Sequence, residues 1–242
     1  MSPSLLATAA ALVALAAFVQ GAMGFGFGLV AMATLPLLLG VKATVPVVAG
    51  FGILLNILLL SQLRDALSGA RIGPLILGGV VGTPIGVTFL KQADPALLLS
   101  VLGVMLVVFA AWLGRKGAVA DRPAGWGVLA GVISGMMGGA FNTGGPPVVA
   151  YTSSKPWTPR EIRATLQGFF FLQGSLQLTL FALNGMLTRD SLWTNAVLLP
   201  ALAVGALAGD RLSDRLPPAQ FRLLIRVGLA ILGVVMLART LA

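Results

Sequence analysis

Cysteine and histidine are absent from this chain of 242 residues. Without them the protein has no thiolate nucleophile, no histidine base, no disulfide and no Cys or His ligand for zinc or haem. Charged residues are also scarce, at 10% of the chain, against about a quarter in soluble domains. These absences argue against an enzyme, and we expect neither a cofactor nor a metal site.

Hydrophobic residues, in contrast, make up 57% of the chain, more than a soluble domain of this length buries in one core. They form apolar runs long enough to span a hydrocarbon core of about 30 Å. The first run has no Lys or Arg before it, so we interpret it as a retained membrane segment and not as a signal peptide. The composition predicts an all-α, polytopic membrane protein. The apolar runs fall at about residues 5–40, 43–62, 72–90, 95–113, 125–151, 164–187, 191–209 and 217–241.

The first and fifth runs are interrupted by glycine-rich breaks. One straight helix over residues 5–40 would be about 54 Å long, too long for a single crossing. The breaks read QGAMGFGFG at residues 20–28 and GGAFNTGGPP at residues 138–147. Each run is therefore predicted to be two short helices, and the break either kinks one crossing or turns the chain back as a hairpin.

The 16 Lys and Arg residues distinguish these two possibilities. Single crossings would divide them 9 to 7 between the two sides, whereas hairpins divide them 12 to 4, the bias that the positive-inside rule expects. We therefore predict hairpins, either re-entrant or fully crossing, with both termini outside the cytoplasm. The predicted cytoplasmic group is Arg64, Arg71, Arg115, Lys116, Arg122, Lys155, Arg160, Arg163, Arg211, Arg215, Arg222 and Arg226, and the outer group is Lys42, Lys91, Arg189 and Arg239.

The net charge of +9 does not predict binding of nucleic acid, because the basic residues are scattered among short loops. All seven acids lie at or near the ends of apolar runs, so no carboxylate is predicted at the middle of a span, where it would suggest a proton relay. The acids are Asp65, Asp94, Asp121, Glu161, Asp190, Asp210 and Asp214.

The two halves of the chain resemble each other. Residues 21–24 (GAMG) match 135–138 (GMMG) at an offset of 114, and residues 42–44 (KAT) match 163–165 (RAT) at an offset of 121. The sequence thus predicts a first repeat at 1–114, a basic linker at 115–124 and a second repeat at 125–242 within one membrane domain. Each repeat would be a glycine-broken hairpin followed by three transmembrane helices, which gives the two repeats inverted topology.

The two breaks are predicted to meet near the bilayer midplane and to bind a small anion. The start of a helix presents unpaired N–H groups and about half a positive charge, so it attracts anions without a buried cation. Asn56 and Gln177, related by the offset of 121, add amides from the middle of their spans, although helix–helix hydrogen bonding is an equal alternative for them. The predicted ligands are Asn142, Thr143, Gly144, Gly145, Gly138 and Gly139 from the second break, Gln20, Gly21, Gly24, Phe25, Gly26 and Gly28 from the first, and Asn56 and Gln177.

Other glycines are predicted to serve helix packing. Gly78, Gly82 and Gly86, with Gly205 and Gly209, follow the small-xxx-small spacing of close helix pairs. For the glycines of the first break, helix packing is the alternative to a role in ligand binding. In the second break, the alternative to a ligand site is a purely structural kink.

The motif GMMGGAFNTGGPPVVAY at residues 135–151, with the duplication and the chain length, resembles the TauE/SafE family of sulfite and organosulfonate exporters, also called the toluene sulfonate uptake permease group. The most specific part is NTGGPP at residues 142–147. The resemblance implies transport of small sulfur-containing anions, such as sulfite, sulfoacetate or sulfolactate, across the bacterial inner membrane.

The sequence as a whole predicts a transporter that exports a small anion by alternating access, with the lipid bilayer as its surroundings. A passive anion channel, an importer of another small solute, a structural membrane protein and, more distantly, a membrane enzyme are the alternatives. The identity of the anion, the coupling mode and the oligomeric state, including a homo-oligomer, are left open.

Overall fold

A computed structural model of the protein describes residues 3–113, 122–212 and 218–241. These residues form helices and no strand, which confirms the predicted all-α class. The predicted linker lies largely outside the described residues, as do Arg115, Lys116, Asp121, Asp214 and Arg215. The helices are α1 (Pro3–Met23), α2 (Phe27–Thr34), α3 (Pro36–Leu39), α4 (Val41–Ser61), α5 (Gly69–Gln92), α6 (Pro95–Leu113), α7 (Ala124–Phe141), α8 (Gly145–Thr152), α9 (Pro159–Leu183), α10 (Arg189–Leu212) and α11 (Pro218–Leu241), with a short 3-10 turn at Arg64–Ala66.

Seven of the described helices have the length and hydropathy to cross a membrane. They are α1, α4, α5, α6, α7, α9 and α10. The chain is therefore a polytopic membrane protein, as the composition predicts. The second arms of the two broken runs are not among the seven, because they are too short.

Each break joins one long helix to one short helix. Gly24 and Gly26 have φ of 77° and 110° between α1 and α2, and Asn142 has φ of 55° between α7 and α8. The prediction of two short helices was wrong for the first arms, since α1 has 21 residues and α7 has 18. Gly21 lies within α1 and does not end it, because a helix interior tolerates glycine at a cost of only about 1 kcal/mol. At about 1.5 Å per residue, α1 reaches across a hydrocarbon core and α8 does not.

Polar contacts at the helix ends join residues that the hairpin arrangement puts on the same side. Arg160 pairs with Asp65, and Arg71 pairs with Glu161. The single-crossing arrangement would put the two residues of each pair on opposite sides of the membrane. On the predicted outer side, Lys91 donates to the Asn184 side chain. The contacts thus agree with the hairpin grouping, while the orientation of the termini stays a prediction.

The described acids lie in loops or in terminal turns of helices, as predicted. Asp65 belongs to the 3-10 turn, and Asp94 precedes α6. Glu161 and Asp190 lie in the first turns of α9 and α10, and Asp210 lies in the last turns of α10. The hydrogen bond from Arg160 lowers the pKa of Asp65 below its ordinary value. No described acid therefore occupies the middle of a span.

Glycine faces let the helices of the bundle pack at backbone distance. A methyl group on Gly78, Gly82 or Gly86 of α5 would overlap backbone atoms of α7, and one on Gly205 or Gly209 of α10 would overlap α1. The predicted packing role of these five glycines is confirmed. In the predicted repeats, α1 corresponds to α7, α4 to α9, α5 to α10 and α6 to α11. The contact of α5 with α7 therefore corresponds to that of α10 with α1, and the contacts α4–α9 and α6–α11 each join two corresponding helices.

Candidate functional site

A cavity of about 580 Å³, counting its open mouth, lies where both breaks meet α4 and α9. Its walls are backbone, amide and apolar groups, and none of the described residues that line it carries a charge. The lining residues are Gln20, Gly26, Phe27, Gly28, Leu29, Val48, Ala49, Gly52, Ile53, Asn56, Gly138, Asn142, Thr143, Gly144, Gly145, Phe170, Gln173, Gly174 and Gln177.

The second break is held in place by its own polar side chains. Asn142 ends α7 in the left-handed conformation, and its Nδ2 donates to the Val45 carbonyl of α4 over 2.8 Å. Thr143 Oγ1 donates to the Met137 carbonyl over 3.4 Å, and Ser134 Oγ donates to the Gly144 carbonyl. These bonds fix the turn between α7 and α8, so Asn142 and Thr143 shape the site.

The N-terminus of α8 leaves two backbone donors at the cavity. Gly144 and Gly145 line the cavity, and among the described residues no acceptor pairs with the N–H of either one. Pro146 and Pro147 follow and have no N–H, so these two glycines provide the donors of the first turn. Unpaired N–H groups together with the helix dipole favour an anion at this position.

Two buried, hydrogen-bonded amide side chains connect the first break to α4. Gln20 Oε1 accepts from the N–H of Phe27, the first residue of α2, over 3.2 Å. Gln20 Nε2 donates to Asn56 Oδ1 over 3.1 Å, and both side chains are buried. The protein thus caps the first N–H of α2 with its own oxygen, unlike the start of α8.

Gln177 connects α9 to the end of α7. Its Nε2 donates to the Gly138 carbonyl over 2.8 Å and to the Gly139 carbonyl over 3.3 Å. Both carbonyls belong to the last turn of α7. The Gly138 carbonyl also accepts from the Asn142 N–H over 2.8 Å, whereas the Gly139 carbonyl has no following turn to pair with it. The helix–helix bond considered for Gln177 is therefore present, and the residue also lines the cavity.

Ten of the fourteen predicted site residues line the cavity, and four do not. Gly21 and Gly139 lie in packing contacts, where a methyl group would overlap backbone of α10 and α5, respectively. Gly24 turns the chain, and its carbonyl accepts from Gln167 Nε2 over 2.6 Å. Phe25 is buried and makes an edge-to-face contact with Phe109, at 6.5 Å between ring centroids.

Sequence reasoning left part of the wall out of the predicted site. Gln173, Gly174 and Phe170 contribute from α9, and Gly52 and Ile53 contribute from α4. A helix surrounded by lipid and protein has apolar residues on all sides, so no polar stripe indicates which face meets a cavity. As an amide within an apolar span, Gln173 is a weaker sequence candidate by the same reasoning as Asn56 and Gln177, and it is not among the predicted ligands.

Arg163 and Asp210 form an ion pair beside the first break. Arg163 Nη2 donates to Asp210 Oδ1 over 3.0 Å and to the Gly21 carbonyl over 3.1 Å. Neither residue lines the cavity. Their contact fixes the end of α1 against α9 and α10.

Comparison with known proteins gives one family over nearly the whole chain. The model of the family described as "Sulfite exporter TauE/SafE" matches residues 9–236. A protein of Cupriavidus necator named "Probable sulfite/organosulfonate exporter TauE" is 28% identical over 221 residues, which cover 88% of this chain and 86% of that protein. A protein of Comamonas testosteroni named "Probable inner membrane transporter protein TsaS" is 30% identical over 172 residues, which cover 66% of this chain and 70% of that protein. No solved structure matches the chain significantly.

Proposed function

We propose, from the premise that the chain belongs to the TauE/SafE family, that it transports a small sulfur oxyanion across the bacterial inner membrane. The proposed direction is export, and the proposed substrates are sulfite or an organosulfonate such as sulfoacetate or sulfolactate. The printed names of the two relatives, a sulfite/organosulfonate exporter and an inner membrane transporter, support this assignment. The observation that carries it is the uncharged cavity at which α8 presents unpaired backbone donors.

The anion is proposed to bind at the second break. The N–H groups of Gly144 and Gly145 donate to its oxygens, and Asn142 and Thr143 hold the turn that aims these groups. Gly138 contributes by having no side chain, because a methyl group there would overlap the Gln173 amide that lines the cavity. The lining of the proposed site is completed by Gly26, Gly28, Gln20, Asn56 and Gln177.

An uncharged site suits a substrate that has to leave as readily as it enters. A buried cation would hold an anion strongly, whereas backbone dipoles attract it without a full charge. An exported monovalent anion gains about 2.3 kcal/mol per 100 mV with the cytoplasm negative, roughly a fortyfold gradient. Export therefore proceeds without a coupling ion, or with a proton carried by the substrate itself.

Alternating access is proposed to come from rocking one repeat against the other around a site at the bilayer midplane. The reciprocal pairing of α1 with α10 and of α7 with α5 supports two equivalent units. Because each unit contains a hairpin and three further helices, the units have inverted topology in this proposal, with both termini in the periplasm.

Counterflow in proteoliposomes tests the transport function. Vesicles preloaded with sulfite, sulfoacetate, sulfolactate or a carboxylate control would receive a trace of labelled sulfite outside. Transient accumulation of label with sulfite or a sulfonate inside, and not with the carboxylate, supports a sulfur oxyanion carrier. Ion currents without counterflow would instead identify a passive channel, and the absence of both would refute the proposal.

Two substitutions at Asn142 test the proposed site. Asn142→Ala removes the bond to the Val45 carbonyl and puts alanine at φ of 55°, whereas Asn142→Gly removes the same bond without backbone strain. Both variants are expected to abolish or sharply weaken anion flux, with Asn142→Gly the better folded. Flux like that of the wild type in folded Asn142→Gly would refute the proposed role of this residue.

A further inference from the structure

Three glutamines of α9 are buried, and two of them donate to neighbouring helix ends. Gln167 donates to the Gly24 carbonyl, and Gln177 donates to the carbonyls of Gly138 and Gly139. Gln173 lies between them and is 6% exposed, and its Nε2 has no hydrogen-bond partner among the described residues. One of three similar amides thus has an unused donor.

This unused donor lies at the cavity. Gln173 lines it together with Gly144 and Gly145. Its Nε2 lies so close to Gly138 that a methyl group there would overlap it. Glycine at this position therefore makes room for the amide beside the end of α7.

Three of the four other cavity amides have their nitrogen bound within the protein, whereas Asn56 accepts through Oδ1 and its Nδ2 donates to no described residue. Gln20 Nε2 donates to Asn56, Asn142 Nδ2 donates to Val45, and Gln177 Nε2 donates to the end of α7. The Gln173 nitrogen is available to a ligand without the loss of a bond within the protein. A buried donor without a partner carries a desolvation penalty, and an anionic oxygen that accepts from it removes this penalty.

The first break is less suited to an anion. The first N–H of α2 is already capped by Gln20 Oε1, and the Asn142 carbonyl oxygen lies against the α-carbon of Gly28. Two oxygens of the protein thus face the start of α2. The second break, in contrast, combines the N–H groups of Gly144 and Gly145 with the Gln173 amide.

We infer that Gln173 is a substrate-binding residue, and that its Nε2 donates to the oxyanion together with the N–H groups of Gly144 and Gly145. This inference rests on the proposed function and specifies which side chain contacts the substrate. The anion then lies at the second break, so the two predicted repeats contribute unequally to the site.

Substitution by leucine and by glutamate tests the inference in the full-length protein. Gln173→Leu removes the donor and breaks no bond within the protein, so the half-saturation concentration for sulfite counterflow should rise about tenfold or more while the melting temperature is kept or raised. Gln173→Glu introduces a charge that repels the anion, and it should abolish thermal stabilisation by added sulfite. Gln167→Leu is the comparison for loss of a bonded amide, and its melting temperature should fall. Thr179→Val on the exposed face of α9 should match the wild type in both measurements.

The outcomes separate this inference from the proposed function. Wild-type counterflow with unchanged half-saturation in Gln173→Leu overturns the role of Gln173 and leaves the transport function standing. A wild type that neither transports sulfite nor is stabilised by it overturns both. If Gln173→Leu does not fold, Gln173→Asn is measured, and normal affinity in this shorter amide, whose nitrogen no longer reaches the anion, also overturns the inference.

Discussion

The α-carbon of Gly28 lies directly against the backbone carbonyl oxygen of Asn142. Gly28 is the second residue of α2, and Asn142 ends α7, so this contact joins the two breaks backbone to backbone. Any side chain at position 28 would separate them. The cavity depends on this contact, because both residues line it.

Gly28→Ala is expected to destabilise the protein by about 1–3 kcal/mol, since the added methyl group overlaps the Asn142 carbonyl. The melting temperature in detergent should fall, and sulfite transport should fall with it. Gly125→Ala is the matched control, because Gly125 is likewise the second residue of its helix and a methyl group there meets nothing within 4 Å. Equal stability of these two variants would show that the breaks do not touch.

Gly82→Ala is expected to separate α5 from α7, because a methyl group would overlap the Val132 carbonyl. The predicted loss is again about 1–3 kcal/mol, seen as a lower melting temperature. Gly73→Ala on the same helix has open space around it and should be neutral or stabilising by up to about 1 kcal/mol. A drop in both variants would mean that helix pairing does not explain the effect.

Arg163→Gln is expected to destabilise the protein by about 1–3 kcal/mol, because Arg163 donates to both Asp210 and the Gly21 carbonyl and is only partly exposed. Thermal unfolding in detergent measures the change.

Asp65→Asn is the control for that ion pair, since Asp65 and Arg160 are mostly exposed and such pairs contribute little. The bond from Arg160 lowers the pKa of Asp65, so its contribution is present at neutral pH and is lost only as the pH falls through that lowered value. A larger loss in Asp65→Asn than in Arg163→Gln would contradict this ranking.

Cysteine labelling tests the inverted topology without background, because the chain has no cysteine of its own. Gln62 follows α4, and Asn184 follows α9, its counterpart in the second repeat. Gln62→Cys should react only with a membrane-permeant thiol reagent in intact cells, and Asn184→Cys should also react with an impermeant one. Equal accessibility of the two cysteines would exclude inverted repeats.

Sequence reasoning located the breaks because glycine and proline interrupt helices whatever surrounds them. It also matched Asn56 with Gln177, and both line the cavity. It did not separate Gly26, which lines the cavity, from Gly21, which packs against α10. Two glycines in one break differ only in their tertiary neighbours, and no local pattern records those.

The length of the first arms was also beyond local reasoning. Gly21 can end a helix or pack within one, and here α10 offers its backbone at that point, so α1 continues to Met23. Gln173 is a related case, because its identity as an amide is visible in the chain but its free donor is not. Which amides are bonded depends on contacts between helices far apart in sequence.

The anomalous scattering of selenite, the selenium analogue of sulfite, tests most directly the claim that the cavity at the second break is the anion site. Crystals grown with selenite should show a selenium peak beside Gly144, Gly145 and Gln173, placed so that the selenite oxygens accept from the two backbone N–H groups and from Gln173 Nε2. A peak at the first break, a peak outside the cavity, or no peak at a saturating concentration would contradict the account.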